Sequence, residues 1–136
     1  MADTFNTFNA AYGGVTSQVT GFTQPEQAVI IACSDETSDL TTGSGKVKLR
    51  LPYAFNVDEV RASVNTAPTG SALTCSAVSG STTIGTVTIA DGATSATGTA
   101  STNLADNAEI SINVAAVGST TAGTGLKFTL KGRKGD

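Results

Sequence analysis

From residue 27 onward the chain reads as short apolar–polar alternations broken by Gly, Pro, Asn and Asp. The cleanest run is Lys46–Leu51: Val47, Leu49 and Leu51 fall on one face and Lys46, Lys48 and Arg50 on the other. That period of two is a half-buried strand. Pro52 cannot donate to a ladder and ends it. A second strand is expected from Phe55 to Thr66, with Phe55, Val57, Val60, Ala62 and Val64 as its apolar set. The parity of that set changes near Asp58 and Glu59, where a β-bulge would restore the facing. Gln27–Cys33 is apolar on both faces and suits a central strand, covered by a second sheet or by the segment before it.

Further strands are expected over Ala72–Val78, Thr83–Ile89, Ala93–Ala100, Ala108–Val114 and Leu126–Leu130. Ala93–Ala100 has few large apolar residues and suits an edge. In the last two, Ile110, Ile112, Val114, Leu126, Phe128 and Leu130 point inward. The turns between them are Ala67–Gly70, Ser79–Ser81 and Ala90–Gly92. The Asp91-Gly92 pair is a hairpin signal. Asn103–Asn107 is a short polar link that one helical turn would fit, and Gly118–Gly125 a flexible Thr/Gly loop. About eight short strands at this spacing argue for a sandwich or barrel, and the lack of a long helical pattern argues against βαβ folds.

Residues 1–24 differ. Phe5, Phe8, Tyr12, Val15, Val19 and Phe22 recur at helical spacing, but Gly13-Gly14, Thr16, Thr20 and Gly21 weaken a helix. The segment reads as an arm, extended or partly helical, with a disordered tail as the alternative. Four of the seven aromatic side chains lie in it, more than a solvated tail needs. Phe5, Phe8, Tyr12 and Phe22 therefore suit pegs that dock on a neighbouring chain.

Charged residues are only 14% of the 136 positions, and Thr, Ser, Gly and Ala fill the gap. Such surfaces recur in secreted proteins and in large assemblies. The net charge is −3 and the pI about 4.7, which argues against nucleic acid as a partner. No apolar run approaches the roughly 18 residues of a membrane span. Met1–Phe5 lacks the features of a secretory signal, so assembly in a cytoplasm is expected. Cys33 and Cys75 suit buried free thiols, with a disulfide as the alternative.

The chemistry-bearing clusters are few. Asp35, Glu36 and Asp39 could donate oxygens to calcium, but their spacing matches no EF-hand. A turn capped by Ser34 or Asp35 is the simpler reading, and no metal or cofactor is expected. Asp58 and Glu59 are adjacent on a strand and point to opposite faces, the wrong geometry for a glycosidase pair. With no His in the chain, Ser-His-Asp and Cys-His catalysis are excluded. Gly43-Ser44-Gly45-Lys46 lacks the full phosphate-loop pattern and its helix. No enzyme is expected. Lys46, Lys48 and Arg50 read first as a solvated strand face guarding an edge, and otherwise as a face for an acidic partner surface. Lys131, Arg133 and Lys134 read as a solubilising tail.

Val29–Thr37, Leu40–Gly43, and Lys46–Val64 with its Leu51-Pro52-Tyr53-Ala54-Phe55 and Val60-Arg61-Ala62-Ser63 together resemble a family of small virion structural proteins of tailed bacteriophages. Leu104–Ile110 and Gly125–Lys127 fit the same pattern, so the resemblance spans Gln27 to Leu130. The chain departs from it over Leu73–Thr99 and in having the arm. The resemblance implies an all-β, jelly-roll-like antiparallel sandwich with an N-terminal arm, displayed on a virion. The expected layout is an arm (1–24), a sandwich (25–131) and a basic tail (132–136). The expected role is a head decoration (cement) protein bound to the major capsid protein and to copies of itself, as in a trimer. A tail or head fibre module is the alternative. Asp35, Glu36, Lys46, Lys48 and Arg50 join the arm aromatics as expected contacts.

Overall fold

A two-residue turn sets the topology. Gly80 and Ser81 join β4 (Leu73–Ser79) to β5 (Thr82–Ile89), and Ser79 pairs with Thr82. Gly80 has φ of 62°, as the first position of a type II′ hairpin turn requires. From this tip the two halves of the chain run back side by side. β3 (Phe55–Ser63) pairs with β6 (Ser95–Leu104), β2 (Gly43–Arg50) with β7 (Glu109–Ala116), and β1 (Gln27–Ala32) with β8 (Lys127–Lys134), all antiparallel. The long ribbon is rolled so that alternate pairs fall in different sheets, ordered β1-β8-β3-β6 and β2-β7-β4-β5. This double Greek key is a jelly-roll sandwich. The computed structural model describes residues 25–135. The arm, with Phe5, Phe8, Tyr12 and Phe22, lies outside the described residues.

The core is the inward set of both sheets. Phe55, Val57, Val60 and Ala62 of β3 are buried, as are Leu73, Cys75 and Ala77 of β4, Ile110, Ile112 and Val114 of β7, and Phe128 and Leu130 of β8. In β3 the register shifts between Val57 and Glu59 against both neighbours. Against β8 the extra residue is Asp58, which lets Val57 and Val60 both face inward, as the change of parity predicted; against β6 the extra residue lies on β6. The sheets come closest between β5 and β6, where a Cβ on Gly98 would lie 2.2 Å from the carbonyl oxygen of Thr86.

Four expectations need correction. β1 is an edge strand, not a central one. Its inward face (Val29, Ile31) meets the core, but Ala28, Ile30 and Ala32 are exposed. An uninterrupted apolar run cannot by itself distinguish a covered strand from an edge with an apolar outer face. Asp91-Gly92 is a turn but not a hairpin: β5 and β6 belong to different sheets. The Gly92 N–H is instead held by the Pro68 carbonyl at 2.8 Å. Gly118–Gly125 is pinned, with bridges from Thr124 to Asp39 and Thr66 and from Thr121 to Thr69. Gly132–Lys134, expected in a solvated tail, continue β8 alongside Val57, Asn56 and Phe55.

Cys33 and Cys75 are free and buried. Burial pushes the Cys33 thiol up to about 11 and the Cys75 thiol up to about 12. Their ordinary value is 9.0, so the unfolded chain loses these protons first. Stability should therefore be level below pH 9 and fall as the pH rises through 11 towards 12. Native protein at pH 8 should leave both thiols unmodified by a water-soluble disulfide reagent, and denaturant should expose both. Prompt modification of either native thiol would contradict this burial.

Candidate docking surface

The two sheets present different outer faces. On β1-β8-β3-β6 the charges neutralise one another. Lys131 lies 3.5 Å from Glu26 and 3.9 Å from Glu59, Arg133 lies 3.0 Å from Asp58, and Arg61 pairs with Glu59. Lys127, at the start of β8, lies 2.8 Å from Glu36. These pairs are exposed or half-exposed and worth little individually. Their consequence is a face with little net field.

The sheet β2-β7-β4-β5 has its cations on one edge. Lys46, Lys48 and Arg50 alternate outward along β2 and are exposed. None of the three makes an ion pair among the described residues. Lys46 Nζ donates to Thr41 Oγ1 at 2.6 Å, and Arg50 Nη1 donates to the Asn107 carbonyl at 3.0 Å. Arg50 stands opposite Glu109 in the ladder but bonds that carbonyl, in the turn where Asn107 has φ of 64°. Beside this edge lie uncharged polar positions: Ser111 and Asn113 of β7, Thr74 and Ser76 of β4, Thr86 and Thr88 of β5. Asn113 Oδ1 accepts the Gly45 N–H at 2.7 Å. This bond steadies β2 beside its register break between Gly43 and Val47. An open depression of about 350 Å³ lies there, lined by Ser44, Gly45, Lys48, Val78, Gly80, Ser111 and Asn113. An ammonium beside hydroxyl and amide groups can meet carboxylates or carbonyls of another surface.

No protein-family model matches the chain, and no curated protein matches it either.

The acidic residues singled out in the sequence are used within the fold. Asp35 Oδ1 accepts the N–H groups of Ser38 at 2.6 Å and Thr37 at 3.0 Å. These bonds, that from Ser38 first, hold its carboxyl below the usual range. This is the turn the sequence suggested. Glu36 is held low first by the Lys127 ammonium and then by the Asn65 amide. It ties the loop after β1 to the start of β8 and to the link after β3. The structure thus separates Asp35 and Glu36 from the β2 cations by function: the acids close a loop, and the cations face outward. Tyr53 is also engaged, its hydroxyl 2.7 Å from Gln27 Oε1 and its ring 5.8 Å from Lys134 Nζ. Sequence reading did not single out Ser111 and Asn113. The signal was there in their places between Ile110, Ile112 and Val114 on a cleanly alternating strand.

Proposed function

We propose that the protein is a structural component of a phage virion: a decoration protein that binds the major capsid protein and copies of itself and stabilises the head. The observation that carries this reading is the jelly-roll sandwich, an architecture that viral shells use repeatedly. Fold alone does not assign a role. The resemblance of the Cys33–Ser63 block to small virion proteins adds weight, and so does a surface with one neutralised face and one cation-edged polar face. In this reading the protein is not an enzyme, takes no cofactor, and has neither nucleic acid nor membrane as partner. Its place is the virion, assembled in the host cytoplasm.

The mechanism is mechanical. Each copy buries area across a joint between capsid subunits, and modest contacts sum over the shell. The arm aromatics Phe5, Phe8, Tyr12 and Phe22 dock on a capsid subunit or a neighbouring copy, while the β2 edge meets acidic groups of the shell. A secreted sugar-binding module fits less well, since the chain has no Trp and Tyr53 is engaged. A fibre tip would need an exposed recognition site, for which Tyr53 and the loop Ser34–Gly45 are the candidates; Tyr53 is engaged, and in the loop Asp35 caps a local turn while Glu36 meets Asn65 and Lys127.

Quantitative mass spectrometry of purified particles tests the reading. Decoration predicts roughly hundreds of copies per head, as summed weak contacts need. A few dozen or fewer would support the fibre reading. A chain lacking residues 1–24 should keep the β circular dichroism of the full chain but fail to attach to undecorated heads. If it saturates heads as the full chain does, the arm has no docking role.

A further inference from the structure

Four strands end the two sheets, and three of them are guarded against pairing with another chain. β2 carries Lys46, Lys48 and Arg50 and a register break. β5 and β6 carry no charge, but each has a bulge of its own: Ile84 is the extra residue of β5 against β4, and β6 has an extra residue opposite Asp58 of β3. β1 has neither charge nor Pro nor bulge: it reads Gln-Ala-Val-Ile-Ile-Ala in unbroken register with β8. At its centre Ile30 is 69% exposed, the one large hydrophobic so placed among the described residues. A lone surface isoleucine is ordinary; one in the middle of an unguarded edge strand is a ready template for another strand.

The sequence of this edge says which strand fits. Ala28-Val29-Ile30-Ile31-Ala32 is nearly symmetric about Ile30, with alanine two places away on each side and Val or Ile one place away. A twofold interface requires such self-complementarity. The backbone agrees. The Cys33 N–H donates to the Leu126 carbonyl at 2.8 Å, on the β8 side. Backbone groups alternate sides along an antiparallel strand, so those of Val29 and Ile31 also face β8, and those of Ala28, Ile30 and Ala32 face the open edge.

We propose that two copies of this chain associate through β1, pairing antiparallel about a twofold axis at Ile30 and joining their four-stranded sheets into one. Ile30 then stands opposite Ile30 of the second copy, and Ala28 opposite Ala32. The open-edge N–H and C=O groups of all three residues find partners. Val29 and Ile31 keep facing the cores, so register and facing are satisfied together. The neighbouring outer-face residues on β8 are Lys131, Thr129 and Lys127. Both lysines are neutralised within their own chain, by Glu26 and Glu59 and by Glu36, so the two copies do not meet with like charges bare. The pairing closes at two copies. It is a dimer contact, and a trimer would need a different one. It does not depend on the virion reading, because it is tested on purified protein with no particle present.

The test is analytical ultracentrifugation of the full chain with single substitutions. The unsubstituted chain should show a concentration-dependent dimer. Ile30→Lys should weaken it on the order of 100-fold, since two buried isoleucines are lost, and should leave the unfolding midpoint unchanged at protein concentrations where both chains are monomeric. Ile30→Cys should form an interchain disulfide on mild oxidation, because a hydrogen-bonded antiparallel pair sets its Cα atoms about 5.5 Å apart. Ala28→Cys alone should not, while Ala28→Cys combined with Ala32→Cys should. A full chain that stays monomeric up to about 100 μM overturns the proposal, because even a weak contact would register there; this includes the case in which residues 1–24 cover the edge. A dimer that survives Ile30→Lys, or cross-linking by Ala28→Cys as efficient as by Ile30→Cys, overturns it as well.

Discussion

Replacing Phe128 by alanine is expected to lower the unfolding free energy by about 3–5 kcal/mol. Phe128 is fully buried and lies on β8, flanked by Ile31 of β1 and Ala62 of β3. A truncation there removes a ring from the middle of a sheet, where strands on both sides are already fixed by their ladders. The backbone cannot close in, so the lost transfer energy is accompanied by a cavity cost. The chain has few large core residues to compensate: no Trp, and among the described residues only Phe55 shares Phe128's size in the buried set. Since native domains hold about 5–15 kcal/mol in all, the variant should unfold at a much lower urea midpoint or fail to fold at all. Thr129→Ala, one residue along and on the outer face, should change stability by about 0.5 kcal/mol or less. Equal losses at the two positions would mean that β8 does not alternate as described.

The inward residues at and just before β8 were readable because Leu126, Phe128 and Leu130 alternate with Lys and Thr, and a two-sided environment leaves that imprint on sequence. The same reason made Ile110, Ile112 and Val114 legible, and made the bulge at Asp58 legible as a break in parity. Sheet assignment left no such imprint. Asp91-Gly92 has the chemistry of a hairpin turn, but turn chemistry specifies a local reversal, not whether the next strand stays in the same sheet. β1 was misplaced for a related reason: apolar residues on both faces say that each face avoids water in some state, and the outer face of β1 finds no cover among the described residues. The partners of the acids were hidden by distance along the chain. Glu36 meets Lys127 across 91 positions, a pairing that only the β1–β8 register brings about. The β2 cations were legible as an outward row. Their lack of ion pairs became visible only once Arg61, Lys127, Lys131 and Arg133 were seen to find acids and Lys134 the Tyr53 ring.

That contrast leads to the second large effect, on attachment rather than on stability. On the proposed decoration role, the double variant Lys46→Glu, Lys48→Glu is expected to reduce binding to undecorated heads on the order of 100-fold at physiological salt, mostly through slower association, with the difference from wild type shrinking as salt rises. Both side chains are exposed on an edge strand, and neither takes part in an ion pair. Reversing them removes only the exposed Lys46–Thr41 hydrogen bond, so the isolated protein should unfold at an unchanged midpoint. Arg50 is left in place because it also holds the Asn107 turn. The control is Thr97→Glu, which adds a single negative charge on the exposed outer side of β6 in the opposite sheet and should leave attachment as it was. Wild-type attachment should weaken as salt rises, and the salt dependence should be shallower in the double variant, since fewer charges are then engaged. Full attachment by the double variant would remove the β2 edge from the interface. Equal loss from Thr97→Glu would show that the shell responds to net charge and not to this edge.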